Sequence, residues 1–180
     1  MYKTILLIAL LATAAACSPA AEDTTAQTAV TATESGNYAD LGGQPTGPIH
    51  TAAIGDTLAL SGYDAVSYFV GEDGPVEGSK DFTVSYNGYD YRFASEENAQ
   101  AFIEDPAKYA PQYGGYCAWA IGANDALAPG DPNVYKIVDG KLYLNFSEDV
   151  ATRWNVDIPG FIEKGDVNYP THSPDEHFTS

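Results

Sequence analysis

The sequence predicts an α+β fold: a small antiparallel sheet built from hairpins, with a few short helices packed on it. Three observations carry this. Two runs rich in tyrosine, valine and leucine are each broken by a dipeptide that suits a two-residue hairpin turn, Asn87-Gly88 and Asp139-Gly140. Each run is followed by a serine and two acidic residues, Ser95-Glu96-Glu97 and Ser147-Glu148-Asp149, the pattern of a helix start. No strand alternates with a long helical pattern in the way a parallel sheet requires.

Taken in order, Thr57–Ser61 alternates like a short strand. Asp64 is placed to cap a brief helical turn that buries Val66, Tyr68 and Phe69. Gly71–Pro75 reads as a loop from its breakers. In the first hairpin, alternation puts Phe82, Val84 and Tyr86 on one face of the outgoing strand. Tyr89, Tyr91 and Phe93 share one face of the returning strand. The helix after Ser95 carries Ala99, Phe102 and Ile103 as its apolar stripe, and Pro106 ends it. Residues 135–138 and 141–145 form the second hairpin. Ser147 caps a helix with Val150, Ala151 and Trp154 on one side, and Pro159 opens a closing helix containing Phe161 and Ile162.

Charge bounds the partners. Eight basic residues against twenty-five acidic ones give a net charge of −17, with no basic stripe, so nucleic acid is excluded as a partner. At the N-terminus, Lys3 and the apolar run Ile5–Ala12 read as a signal peptide over residues 1–16, too short to span a bilayer. Ala14 and Ala16 suit a small-residue cleavage site. Alternatively, Ala14-Ala15-Ala16-Cys17 resembles a bacterial lipobox, with Ala14 where leucine is usual and Cys17 as the lipidated residue. Residues 17–49, rich in Ala, Thr, Ser and Gly, read as a flexible tether, which favours the lipidated form. Ser18 after the cysteine resembles sorting to the outer membrane of a Gram-negative bacterium. The expected location is the periplasmic side of the envelope, with the membrane as partner through Cys17. The domain is expected over residues 50–170, and residues 171–180 as a C-terminal tail.

Several segments together resemble the YHS-domain family, in its exported and lipoprotein branch: Gly62–Phe69, Tyr91–Asn98, Phe102 with Pro106–Tyr109, Pro111–Cys117 and Asp139–Asn145. The resemblance spans about residues 55–170. It implies an association with metal handling, and with it copper or zinc. This chain departs from the metal-linked members, which carry cysteines near the first motif and around the aromatic strand. Here those places hold Ser67 and the Ala94-Ser95…Asn98 stretch.

The candidate site is the stretch around the second cysteine: Tyr113, Gly114, Gly115, Tyr116, Cys117 and Trp119. Paired glycines permit a tight turn or a close approach, and the aromatic rings can line a shallow pocket for a small ligand. Cys117 is the candidate metal ligand, shared across a dimer, or alternatively a redox thiol. Against both stands the absence of a neighbouring base in an acidic chain, which favours a buried, protonated thiol. His50 stands at the edge of the domain. His172 and His177 bracket Asp175 and Glu176 in the tail, where a structureless end is the simpler reading. Closed soft-metal sites need three or four thiolate or imidazole donors, more than this domain offers. Asp64, Glu96 and Glu97 are explained by helix capping, and neither a nucleophile elbow nor a phosphate loop is present. No catalytic residue is assigned. The reading is a non-enzymatic binding module for a small ligand or metal. The alternatives are an accessory subunit docking to another envelope protein through the aromatic loop, or a thiol-dependent redox protein using Cys117.

Overall fold

A computed structural model describes residues 38–71 and 74–178. The signal peptide, Cys17 and most of the expected tether lie outside the described residues. Among the described residues no helix is long and apolar enough to cross a membrane.

The chain enters through β1 (Ala39–Asp40), passes a short helix α1 (Ser67–Val70), and forms the hairpin β2 (Ser79–Tyr86) and β3 (Tyr89–Phe93). Helices α2 (Glu96–Glu104), α3 (Pro106–Tyr109) and α4 (Ala118–Asn124) follow. The second hairpin is β4 (Asp131–Val138) with β5 (Lys141–Asn145), and α5 (Glu148–Trp154) and α6 (Ile158–Asn168) close the fold. The architecture is α+β, as expected, but the hairpins stand in two sheets. One has the order β1-β2-β3 and the other consists of β4-β5.

Both hairpin turns form at the expected dipeptides. Asn87 and Gly88 have φ of 54° and 80°, and Asp139 and Gly140 have 50° and 74°, so both positions of each turn are left-handed. Register then pairs Val84 with Tyr91 and Tyr86 with Tyr89, putting Val84, Tyr91 and Phe93 into the core. The Ser95 side chain accepts from Asn98 N at 3.2 Å and the Ser147 side chain from Val150 N at 3.4 Å, so both expected caps are made. Phe102 packs its ring 4.9 Å from those of Tyr91 and Phe93, joining α2 to the first sheet.

Two expectations change. Residues 57–61 are not a strand: Ala59–Gly62 is a tight helical turn in which Leu60 and Ser61 hold φ of 54° and 53°. Leu58 keeps only an isolated bridge to Asp90. The segment 38–49, placed in the tether by its composition, is part of the fold. β1 pairs in parallel with β2, Tyr38 N donates to Thr83 O and Leu41 N to Ser85 O, and Ala39 and Ile49 are buried. The physical reason is the open edge of β2, whose unpaired backbone groups accept any short extended segment with a small inward residue.

Two clusters form the interior. Leu60, Val66, Val84, Tyr91, Phe93 and Phe102 lie in the first, beneath the larger sheet. The second gathers Tyr113, Tyr116, Ile121, Tyr143 and Trp154, between the second sheet and α4, α5 and α6.

Candidate functional site

The stretch 112–119 lies at the junction of the two clusters, and its backbone is its most unusual part. Tyr113, Gly114 and Gly115 hold φ of 54°, 59° and 83°, three consecutive left-handed residues. At Gly114 a side chain would have its first carbon 2.2 Å from Pro48 O and 2.9 Å from Ile49 Cα. Only glycine fits, and the space it leaves is taken by residues 48–50, with His50 N donating to Gly114 O at 2.9 Å.

This turn sends its side chains inward. Tyr113, Tyr116 and Cys117 are all buried, and Trp119 is half-buried with Arg153 over its ring. The Tyr113 hydroxyl donates to Asp166 Oδ1 at 3.0 Å, with Ile162 O 3.2 Å away. It reaches α6 because Gly165 is bare there; a Cβ at Gly165 would fall 2.6 Å from that oxygen. Burial, and then the Asp166 carboxylate, push the Tyr113 phenol far above its ordinary value, so it stays protonated and donating.

Cys117 is 1% exposed, with Asn145 Oδ1 3.6 Å from its sulfur. The same Asn145 oxygen accepts from Trp119 N at 3.2 Å, so this buried amide ties the start of α4 to β5. Burial pushes the thiol up, opposed by smaller effects of the backbone at Ala120, Phe146 and Trp119. Among the described residues no histidine or carboxylate is hydrogen-bonded to the sulfur. Among the described residues no group of three His, Cys, Asp or Glu side chains can hold a metal ion. The donor set around Cys117 does not fit copper or zinc, which need several converging thiolate or imidazole ligands.

The two edge histidines are occupied otherwise. His50 packs edge-on against Tyr116 with ring centroids 5.3 Å apart, and burial lowers its pKa. His172 is not on a free tail: its ring lies between Asp125 Oδ1 at 3.2 Å and Glu176 Oε1 at 3.0 Å.

What the turn does help to build is a cavity of about 400 Å³. Pro45, Thr46, Gly47 and Ile49 supply one wall, from the segment expected to be tether. The first hairpin contributes Tyr86, Asn87 and Tyr91. The run Pro111–Gly114 forms a third side, and Lys141, Asp166 and Tyr169 close the space from the second half of the chain. Of the six candidate residues, Tyr113 and Gly114 line it; Gly115, Tyr116, Cys117 and Trp119 do not. Tyr91, Lys141, Asp166 and Tyr169 were not among the candidates. Their one sequence signal was the tyrosine content, since nothing local marks which rings meet. Tyr169 is held by its hydroxyl donating to Pro48 O at 2.8 Å, which fixes the first wall against the last.

A family model, YHS domain, matches residues 72–113. No curated protein and no solved structure matches the chain. The matched segment is shorter than the span of the motif resemblance and stops at Tyr113, before the remaining candidate residues. It contains the first hairpin, α2, α3 and the cavity side that runs from Tyr86 to Tyr113. Over that segment, residues 72–113, the chain is similar to the YHS domain.

Proposed function

We propose that this YHS-domain protein is a non-enzymatic binding module, exported and lipid-anchored through Cys17, that takes a small ligand in the tyrosine-walled cavity. The cavity carries the reading. Its volume of about 400 Å³ falls within the range of small-molecule sites, and rings and polar groups from four separate parts of the chain converge on it. Of small ligand and metal, the geometry favours the small ligand, because Cys117 does not line the cavity and meets an amide rather than further metal donors. A redox role for Cys117 has little support in a thiol that burial keeps protonated. Docking to an envelope partner through the aromatic loop would depend on Trp119 and neighbouring backbone, since Tyr113 and Tyr116 point inward.

The test is a fragment screen by NMR on the purified chain, with the tyrosine rings labelled. Ligands that move the signals of Tyr86, Tyr91, Tyr113 and Tyr169 together support the module. A diverse library that leaves all four unmoved rejects it. Metabolic labelling with a fatty acid, comparing the wild-type chain with Cys17→Ser, tests the anchor; equal labelling of the two rejects lipidation at Cys17.

A further inference from the structure

The chain contains two units that repeat one another element by element. Leu60-Ser61-Gly62 holds φ of 54°, 53° and 82°, and Tyr113-Gly114-Gly115 holds 54°, 59° and 83°. After each turn one backbone bond ties the next segment back, Asp64 N to Val76 O and Cys117 N to Ala128 O. β2 and β4 are both eight residues long, and both slip register at the same place, Ser79/Thr83 and Asp131/Tyr135. The hairpin turns, the capping serines Ser95 and Ser147 and the capping aspartates Asp105 and Asp157 then follow at one constant spacing. In this alignment Val84, Phe93, Phe102 and Ile103 correspond to Lys136, Asn145, Trp154 and Asn155.

What covers the outer strand differs between the units. In the first, β1 lies along the edge of β2. Ala39 pairs with Val84, the Tyr38 ring packs on Phe82, and the Tyr38 hydroxyl donates to Glu96 Oε1 at 3.0 Å. In the second, no third strand joins β4 among the described residues. A cavity of about 190 Å³ opens there, lined by Val134, Lys136 and Glu148, the counterparts of those three β1 contacts.

The exchanged residues say what that place is suited to. Val84, Phe93 and Phe102 close an apolar core with Ala39, whereas their counterparts carry polar groups. Trp154 lines the cavity, and its buried indole N–H has no acceptor among the described residues. Leaving such a donor unmet costs free energy that an incoming acceptor recovers. Lys136 makes no ion pair among the described residues; its ammonium donates to Asn155 Oδ1 at 2.9 Å and keeps two further hydrogens. An open strand edge, a cation and an unmet donor together call for an extended chain that brings backbone groups and an acidic side chain.

We propose that the outer edge of β4 binds an extended peptide segment of another protein, added parallel to β4 as β1 is added to β2. The segment has the chemistry of β1 with one change. A tyrosine reaches Glu148 as Tyr38 reaches Glu96, and the next residue is acidic where β1 has Ala39, meeting Lys136 and the Trp154 N–H.

The experiment titrates the purified, isotope-labelled chain with a synthetic peptide that copies residues 38–43 and carries Ala39→Asp, followed by NMR. Binding moves the indole N–H signal of Trp154 and the backbone amides of β4. The aspartate peptide binds about tenfold more tightly than the version that keeps Ala39, the worth of one charge-assisted hydrogen bond, and Lys136→Gln removes that preference. Methylating the peptide nitrogen equivalent to Tyr38 N, which donates to Thr83 O in the first unit, also weakens binding about tenfold. A preference for aspartate that survives Lys136→Gln overturns the charge pairing, and indifference to methylation overturns strand addition. If this peptide is silent, short peptides selected on the same chain from a random library are titrated in turn; the proposal falls when none moves the Trp154 and β4 signals. Movement of those signals with protein concentration alone, with a dimer in sedimentation, gives the edge to a second copy and overturns the peptide. The tyrosine-walled cavity plays no part in this site, so its failure leaves the binding-module reading standing.

Discussion

The Asn98 side-chain amide donates to Asp64 Oδ2 at 2.6 Å, joining the turn before α1 to the first turn of α2. The same carboxylate oxygen accepts from Ala94 N at 2.9 Å. The other oxygen accepts from Val66 N and Ser67 N, at 2.8 and 3.2 Å. Asp64 is fully buried, so it is a structural centre and not an acid or base facing solvent. Replacing it by alanine strands three donors, Val66 N, Ala94 N and the Asn98 amide, while Ser67 N keeps the backbone oxygen of residue 64 at 3.1 Å. Asp64→Ala is expected to cost ~3 kcal/mol or more, read as a lowered urea midpoint. Asp64→Asn, which keeps one acceptor oxygen, costs less.

The two adjacent glycines should behave differently. Gly114→Ala places a carbon against Pro48 O and also strains a left-handed residue, so the wall formed by residues 45–49 has to move. A loss of ~3 kcal/mol is expected, at the upper end of ordinary single substitutions. Gly115→Ala meets nothing closer than 3.6 Å and carries only the backbone penalty, ~1–2 kcal/mol. Thermal unfolding of the two variants side by side checks the order; equal losses would show that residues 48–49 do not press on Gly114.

At Cys117 the expectation is chemical inertness. The thiol is buried and its pKa is raised, so an alkylating reagent at neutral pH modifies it far more slowly in the folded protein than in urea. Its amide neighbour matters more to the fold: Asn145→Ala leaves Trp119 N without its acceptor and costs ~2 kcal/mol, whereas Cys117→Ala removes only a small side chain and a weak bond. Comparing the two unfolding curves decides which residue holds the junction.

Alkaline pH should unfold the protein. Burial raises the phenols of Tyr68, Tyr91, Tyr113 and Tyr169 far above the ordinary tyrosine value, and that of Tyr143 to about 12. An unfolded tyrosine loses its proton near pH ~10. Above that pH the unfolded chain binds fewer protons than the folded one, so stability falls as pH rises; below it the contribution is fully present. Far-ultraviolet circular dichroism and tyrosinate absorbance, followed together upward from pH ~9, should change in a single step. Progressive tyrosinate formation with the fold intact would show that these rings are more accessible than their burial implies.

Local chemistry was legible in the sequence, and convergence was not. Asn87-Gly88 and Asp139-Gly140 announce their turns because few other dipeptides tolerate positive φ at both positions, and Ser95 and Ser147 announce helices by what their side chains accept. Leu60 and Ser61 gave no such warning. Their left-handed backbone is imposed by neighbours, and the alternation of residues 57–61 imitates a strand. The segment 38–49 was misread because its few apolar residues suffice only when a sheet edge stands ready for them. In the candidate site, the glycine pair pointed to the turn. The cavity draws on Tyr91, Lys141 and Tyr169, which are brought together only by the fold.

The two-residue strand β1 carries a consequence out of proportion to its length. A shortened version of the protein beginning at His50, where composition alone would draw the border, would lack Ala39 in the first core, the partner for the edge of β2, and the four residues that face Tyr91 and Tyr169. It would arrive with its ligand chamber already breached. A failed binding assay on such a fragment would report on the scissors and not on the protein.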